Sequence, residues 1–243
     1  MKNIRFTRAA LSLSLSLGLS WVASTALAAG LPNGDFAANL TNWTTIGNVA
    51  VDNTNQFGAP PLGFIHQAVL GTADTAGFLF GGSAVGPASL ESFAGLGAGS
   101  LSPFNAFLGS GLSTDFTAAA GDRLVFQWKF MSNDPPGSPA DDTAYLVLDK
   151  STLIKLTSVN SATFLGGSAS PLFDETAYLT FTSGPLTAGA HSVSLGVFDG
   201  RDALGASALS VTDVHLAPVP EPAPGLLFVV GAGLLGLLKR RAA

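Results

Sequence analysis

The sequence of 243 residues predicts an all-β fold, an antiparallel β-sandwich of the jelly-roll type, flanked by an N-terminal signal helix and a C-terminal transmembrane helix. Three observations lead to this prediction. Short runs in the middle of the chain alternate apolar and polar residues with a period of two, as half-buried strands do. Clusters of Gly, Pro, Asn, Asp and Ser separate these runs, as turns separate strands. No segment between the two ends shows a long 3.6-residue apolar period with helix caps.

The N-terminal segment has the pattern of a secretory signal peptide. Three basic residues in the first eight positions precede an apolar stretch over residues 9–27. Ala26 and Ala28 provide the small-x-small pattern that signal peptidase cleaves, so we expect cleavage before Ala29 and a signal peptide of residues 1–28. The alternative is an uncleaved anchor, which the serines of the stretch disfavour because they lower its hydrophobicity.

The strand patterns begin after the signal peptide. The clearest alternation places four large apolar side chains on one face of a strand, namely Leu124, Phe126, Trp128 and Phe130. Residues 193–197 repeat this pattern, and residues 145–148 and 178–182 are shorter strand-like runs. Residues 81–111 are rich in Gly, Ala and Ser, which indicates a long loop with one or two weak strands. We expect Trp43 and Trp128 in the core rather than as platforms for sugars.

The C-terminal segment combines three features in order. Pro220, Glu221 and Pro222 open an extended, exposed stretch, because proline disfavours helix in the residue before it. The apolar run 225–238 follows and would rise about 21 Å as a helix, against about 30 Å for a hydrocarbon core. The basic residues Lys239, Arg240 and Arg241 end the segment and would stay in the cytoplasm. An ordinary C-terminal anchor is the alternative interpretation.

The order and spacing of these three features resemble the PEP-CTERM protein-sorting signal of Gram-negative bacteria. The resemblance covers residues 218–243 and leaves residues 29–217 as a β-sandwich domain, here called the passenger. It implies recognition and cleavage near Pro220–Pro222 by a membrane exosortase, after transient anchoring in the inner membrane through residues 225–238. It also implies a cell-surface or extracellular location, with an association with exopolysaccharide and biofilm formation.

The composition of the passenger excludes several function classes. It has five basic and fifteen acidic residues, so its formal net charge is −10. Nucleic-acid binding is excluded, because phosphate contacts require clustered Lys and Arg. The chain has no cysteine, which excludes disulfides, thiolate metal sites and thiol catalysis. No nucleophile-elbow, P-loop or zinc-protease motif occurs in a plausible context, so the sequence indicates a non-catalytic protein.

The two ends of the passenger carry a second pair of motifs. Residues 33–43 open with Asn-Gly-Asp-Phe and end with Trp43, and residues 207–216 form a closing strand. Together these motifs resemble those of galactose-binding-like and carbohydrate-binding jelly-roll modules. In such modules the first and last strands lie side by side, so Asp35 and Asp213 could share a structural calcium ion. Many such modules have Glu where this chain has Ala37. The alternative is that Asp35 caps a turn and Asp213 bonds to backbone amides.

Asp213 also breaks the alternation of the closing strand. It stands at a position where a core-facing residue is expected, and the apolar pattern then resumes on the other parity. This predicts a β-bulge near Asp213, or a buried acid with a partner.

Two further groups of acids lie in turn-rich segments. Asp134, Asp141 and Asp142 belong to a Pro/Gly-rich stretch, which indicates a solvated turn, with a second calcium site as the alternative. Asp199 stands two residues before Arg201, which indicates a charged hairpin tip with a local Asp–Arg pair.

The function that the sequence indicates is a non-catalytic component of the cell surface or extracellular matrix. The alternative is a carbohydrate-binding module that recognises a particular glycan. A third interpretation is a glycan-active hydrolase, for which the sequence shows no acidic pair with a supporting pattern. The expected partners are signal peptidase, exosortase and an extracellular polysaccharide.

Overall fold

The computed structural model describes residues 30–73 and 82–218 of the chain. The predicted signal peptide, residues 1–28, and most of the predicted sorting segment, residues 218–243, lie outside the described residues. Within residues 30–73 and 82–218, no helix has the length and hydropathy that a bilayer span requires.

Strands account for most of the regular structure. In chain order they are β1 (Thr44–Ile46), β2 (Asn48–Asp52), β3 (Gln67–Gly71), β4 (Ala106–Ala118), β5 (Arg123–Ser132), β6 (Thr143–Leu148), β7 (Thr152–Ser158), β8 (Asp174–Glu175), β9 (Leu179–Thr182), β10 (Gly189–Gly200) and β11 (Ser207–Ala217). One α-helix, α1 (Pro87–Ala94), and a short 3₁₀ turn at Ser102–Phe104 precede β4.

The strands form two antiparallel sheets that pack face to face, so the predicted β-sandwich is confirmed. The five-stranded sheet has the order β1-β4-β10-β6-β7. The six-stranded sheet has the order β2-β3-β11-β5-β8, and β9 also pairs with β5. The expectation that the first and last strands lie side by side was wrong, because β1 pairs with β4 and β3 separates β2 from β11.

The core lies between the sheets and is built by the alternation that the sequence shows. The β5 stripe faces inward as predicted, with Trp128 5% exposed and the other three side chains fully buried. Val193, Leu195 and Val197 of β10 supply the opposite wall of the same cluster. Period-two patterns place alternate side chains on one face, so each stripe is buried as a unit.

The outer face of the six-stranded sheet is covered by loops. Phe57 and Met131 are fully buried there in a small second cluster. Beside them the Lys129 ammonium bonds to the Glu175 carboxylate at 3.0 Å and to the carbonyl of Phe57 at 2.6 Å. This face therefore has little open surface for a ligand.

Residues 82–111, the described part of the predicted loop 81–111, differ from the prediction of a loop with weak strands. Helix α1 forms because Pro87 suits the first helical turn and Gly95 ends it with φ +71°. The Glu91 carboxylate accepts hydrogen bonds from the amides of Gly99 and Leu101 and so holds the following turn. The helix packs Leu90 against the outer face of the five-stranded sheet. The helix has about two turns, which is too short to give a periodic apolar signal.

A prediction follows for the β5 stripe. Trp128→Ala should lower the free energy of unfolding by about 3–5 kcal/mol, as large core truncations do, because the neighbouring side chains cannot close the cavity. Urea melts of the full chain measure this loss. Leu179→Ala, on a side chain that is 46% exposed, is the control and should change it by less than about 1 kcal/mol. An equally small loss for Trp128→Ala would show that the stripe is not core.

Candidate functional site

The N-terminal Asn-Gly-Asp-Phe motif forms a tight turn that docks on the closing strand. Asn33 organises it, because its side-chain oxygen accepts a hydrogen bond from the amide of Ala38 and its side-chain amide donates to the carbonyl of Thr41. The buried ring of Phe36 packs on that of Trp43, with centroids 5.2 Å apart. Trp43 also donates its indole N–H to the carbonyl of Asn33 at 3.0 Å. The motif is therefore structural in this protein.

Gly34 explains how closely this turn approaches β11. Its carbonyl accepts a hydrogen bond from the amide of Val214 at 2.9 Å. A side chain at this position would place a Cβ atom 1.7 Å from the carbonyl oxygen of Val214, so only glycine fits.

The predicted bulge is confirmed, because the β11–β5 register shifts between Thr212 and His215 and Asp213 has φ +55°.

The two predicted calcium ligands flank this contact, but their carboxylates have separate partners. Asp35 accepts a hydrogen bond from the amide of Ala37 at 3.2 Å, which is a local turn. Asp213 accepts from the side-chain amide of Gln127 at 3.1 Å and pairs with the His215 ring at 3.0 Å. A calcium ion shared by Asp35 and Asp213 stays a prediction.

A more open site lies on the outer face of the five-stranded sheet, beside α1. Two depressions of about 540 and 590 Å³ adjoin each other here, because Asp115 and Lys150 line both of them. We call the two together the outer-face groove and define it by six lining residues: Thr44, Ser113, Asp115, Asp149, Lys150 and His191. Each volume falls in the range of small-molecule sites.

The floor of the groove is made by outward-facing polar side chains of the neighbouring strands β4 and β10. Leu112 and Phe116 of β4 point into the core, so Ser113 and Asp115 point outward. The hydroxyl of Ser194 donates to that of Ser113 at 2.8 Å across the β4–β10 pair. The floor is therefore a hydrogen-bonding surface rather than an apolar one.

The turn between β6 and β7 supplies the wall of the groove. Asp149 and Lys150 both have left-handed backbones, with φ +53° and +56°, as a tight hairpin requires. The Lys150 stem lies across Gly95, where an added Cβ would be 2.6 Å from the Cβ of Lys150. The end of α1 therefore positions this lysine beside the groove.

An ion pair connects this turn to β10. The Asp149 carboxylate lies 2.9 Å from Nδ1 of His191 and accepts the amide of Ser192 at 3.1 Å. Burial of the His191 ring opposes its charged form, but the carbonyl of Thr187 and the Asp149 carboxylate outweigh it and raise the pKa of His191. The groove thus presents an acid, a lysine and an imidazole.

Aromatic platforms contribute little to this groove. The two tryptophans of residues 30–73 and 82–218 are buried as predicted, Trp43 with 7% and Trp128 with 5% exposure. Among the described residues, Phe93 of α1, which is half-buried, is the one phenyl ring that lines the groove. Any ligand would therefore be held mainly by polar contacts.

The acidic residues of the two turn-rich segments do not all lie at the surface, where the sequence predicted them. Asp142 is fully buried, so it does not belong to a solvated turn. Asp199 is 1% exposed and faces the Asp142 carboxyl, so the interpretation of a charged hairpin tip was wrong for this residue. Asp141 does lie at the surface, where it pairs with Lys155 at 3.4 Å.

Sequence reasoning found the turn motif but missed the groove. The groove brings together residues of β1, β4, β10 and the β6–β7 turn, which are distant in the chain. The only local signal was the outward parity of Ser113 and Asp115 in β4, just beyond the segment 81–111 that was predicted as a loop. The predicted processing residues lie outside the described residues: Ala26, Ala28, Pro220, Glu221, Pro222, Lys239, Arg240 and Arg241.

Comparisons with known proteins gave structural likenesses only. No protein-family model matches the chain, and no curated protein shows significant sequence similarity to it. Its fold is similar to TmCBM61 solved in complex with β-1,4-galactotriose, with 11% identity over 78% of this chain and 97% of that one, at a TM-score of 0.41.

Two further solved structures are also similar to this chain at low sequence identity. The K3 cleaved adhesin domain of Lys-gingipain from Porphyromonas gingivalis shares 12% identity over 78% of this chain and 100% of its own, with a TM-score of 0.41. A family 35 carbohydrate-binding module from an environmental isolate shares 21% identity over 49% of this chain and 75% of its own, with a TM-score of 0.25. Likeness at these levels does not identify a ligand or an activity.

A pH prediction follows for the Asp149–His191 pair. Because the folded pKa of His191 is raised, the pair stabilises the fold fully below the unfolded value of 6.5 and loses this contribution as pH rises through the folded value. His191→Gln should therefore lower the melting temperature more at about pH 5.5 than at about pH 9. Asp149→Asn is the companion variant and should reduce the pH dependence in the same way. Equal losses at both pH values would contradict the pairing.

Proposed function

We propose that the passenger is a non-catalytic carbohydrate-binding domain of an exported protein and that the outer-face groove binds its glycan. The observation that carries the proposal is that two depressions adjoin each other at Asp115 and Lys150. Two adjoining depressions can accommodate consecutive units of a chain-like ligand better than a single compact molecule.

The chemistry of the lining suits sugar hydroxyls. Each hydroxyl both donates and accepts hydrogen bonds, and the groove offers an acceptor in Asp115 and a donor in Lys150. The serine and threonine hydroxyls of the floor can do either. Hydrogen bonds that involve a charged group are worth about 1.5–3 kcal/mol each, so a few of them suffice for specific binding.

The charge of the passenger indicates which glycans fit. With a formal net charge of −10, its field repels polyanionic chains at low ionic strength. Lys150 is the one basic side chain of the groove apart from the imidazole of His191. A neutral polysaccharide is therefore the ligand class that the groove fits best.

The placement of the acids favours binding over hydrolysis. A glycosidase requires a general acid with a raised pKa beside a second carboxylate at the scissile bond. Burial raises the pKa of Asp142 to about 7 and that of Asp199 to about 9, but neither side chain lines the groove. Asp149, which does line it, is engaged by His191 and by the amide of Ser192.

The cellular setting rests on the two ends of the sequence. The signal-peptide pattern of residues 1–28 supports export across the inner membrane. The Pro-Glu-Pro motif, apolar run and basic end of residues 218–243 support exosortase processing and a surface or matrix location. A glycan-binding passenger would then attach the released protein to extracellular polysaccharide.

Binding of neutral polysaccharides tests the groove directly. The full chain should bind at least one member of a panel of immobilised galactans, mannans, glucans and xylans. Lys150→Ala and Asp115→Ala should each weaken that binding about tenfold or more, because each loses a charged hydrogen-bond partner.

The matched controls lie elsewhere on the surface. Lys155→Ala removes the same charge from β7, and Asp174→Ala removes an acid from β8; both should bind as the wild type does. Binding that falls equally in controls and groove variants, or no binding to any member of the panel, would overturn the proposal.

Processing at both ends gives a separate prediction. Protein recovered from outside the cell should begin near Ala29 and should lack Lys239, Arg240 and Arg241. Intact-mass analysis measures both ends at once. Replacing Pro220 and Pro222 by Ala should leave the C-terminal end uncut and the protein in the membrane fraction. Full-length chain at the cell surface of the wild type would contradict this prediction.

A further inference from the structure

Three carboxyl groups from distant parts of the chain meet at one buried place near the end of the sandwich. Asp134 follows β5, Asp142 precedes β6 and Asp199 lies near the end of β10. The side chain of Asp142 is within hydrogen-bond contact of both Asp134 and Asp199. We call these three residues the aspartate cluster.

The centre of the cluster is well ordered by neutral donors. The Asp142 carboxylate accepts the amide of Gly200 at 2.9 Å and the hydroxyl of Ser207 at 2.7 Å. Asp142 is fully buried, so it has no compensating contact with solvent. These donors place the group firmly, but they do not neutralise a negative charge.

The other two members carry oxygen atoms that have no partner. Asp199 is 1% exposed, and its Oδ1 atom makes no hydrogen bond. The Oδ2 atom of Asp134 is also buried and also makes no hydrogen bond. Buried polar atoms in native proteins are nearly always satisfied, so an orphan oxygen on each of two carboxyls that contact Asp142 requires an explanation.

No basic side chain supplies the missing charge. None of the ion pairs within residues 30–73 and 82–218 includes a member of the cluster. Lys155, a nearby base in the sequence, pairs with Asp141, and Arg201 is exposed. Asp202 adds a further negative charge that acts on Asp134.

We propose that the aspartate cluster binds a hard divalent cation, calcium, as a site distinct from Asp35 and Asp213. Calcium prefers carboxylate and carbonyl oxygens in flexible geometry, and it is the cation that extracellular modules bind with dissociation constants of about 10⁻⁴–10⁻³ M. The orphan oxygens of Asp134 and Asp199 would be its ligands, and Asp142 would face it from between them.

The ion would have to complete the site. Within the described ranges 30–73 and 82–218, no group of three or more His, Asp or Glu side chains is already arranged to hold a metal ion. The carboxylates of Asp134 and Asp199 would have to rotate to direct their free oxygens to a common ion. Gly205 permits an approach of this kind, because its backbone lies so close to the Asp134 carboxylate that an added Cβ would be 2.6 Å from it.

Protons are the competing way to neutralise the cluster. Burial, with the neighbouring carboxyl of Asp142 second, raises the pKa of Asp199 to about 9, and burial raises that of Asp142 to about 7. Without metal, stability from these groups is therefore fully present below the unfolded value of 3.8 and is lost as pH rises through about 7 to 9. A bound cation would remove this loss.

Thermal melts of the full chain separate the two explanations. At about pH 8, adding calcium to EDTA-treated protein should raise the melting temperature. Each tenfold rise in free calcium above the dissociation constant should raise the folding equilibrium constant about tenfold. Equal melting temperatures in calcium and EDTA at this pH would overturn the proposal and leave the carboxyls neutralised by protons.

Variants locate the site and exclude a general salt effect. Asp199→Asn removes one buried charge at nearly constant shape, so it should melt no lower than the wild type in EDTA and should lose the calcium response. Asp213→Asn should keep that response, because it lies outside the cluster. A response that disappears in Asp213→Asn and persists in Asp199→Asn would assign the ion to the terminal turn instead. Magnesium at equal concentration controls for ionic strength and should give a smaller shift.

Discussion

The passage of the chain from β10 to β11 is the constraint on which the rest of the structure depends. These strands occupy the central positions of the two sheets, and the short connection 201–206 carries the chain from one layer to the other. The Asp142 carboxylate bonds to Gly200 at the end of β10 and to Ser207 at the start of β11. The two layers are thus joined at this corner by a buried carboxylate, and the packing of their apolar stripes follows from that alignment.

The two outer faces of the sandwich differ in how far they are covered. Loops and the Lys129–Glu175 pair close the face of the six-stranded sheet. On the five-stranded sheet, α1 covers one part and leaves the outer-face groove beside it. Gly95 and Lys150 join these two features, because the helix end that shields the apolar part also supports the lysine of the groove. The same helix end therefore shields the sheet and helps to form the candidate binding surface.

A domain without cysteine has to be stable without disulfides. The core stripes of β5 and β10 supply the hydrophobic part, and the turn around Asn33 fastens the N-terminal segment to the bulge of β11. Among the described residues, the aspartate cluster is the one place where buried side-chain oxygens, those of Asp134 and Asp199, make no hydrogen bond. Under the proposed calcium binding it would act as an ionic connection between strands of both sheets, in place of a covalent one.

The sequence by itself determined the features that are encoded by residues close together in the chain. The period-two stripe of β5 predicted a core face, the break at Asp213 predicted a bulge, and the turn residues predicted the boundaries of strands, because each is encoded within a few positions. The tertiary structure alone decided the burial of Asp142 and Asp199, the course of residues 82–111 and the outer-face groove. These features depend on contacts between residues far apart in the chain, such as Asp142 with Ser207, which no local pattern records.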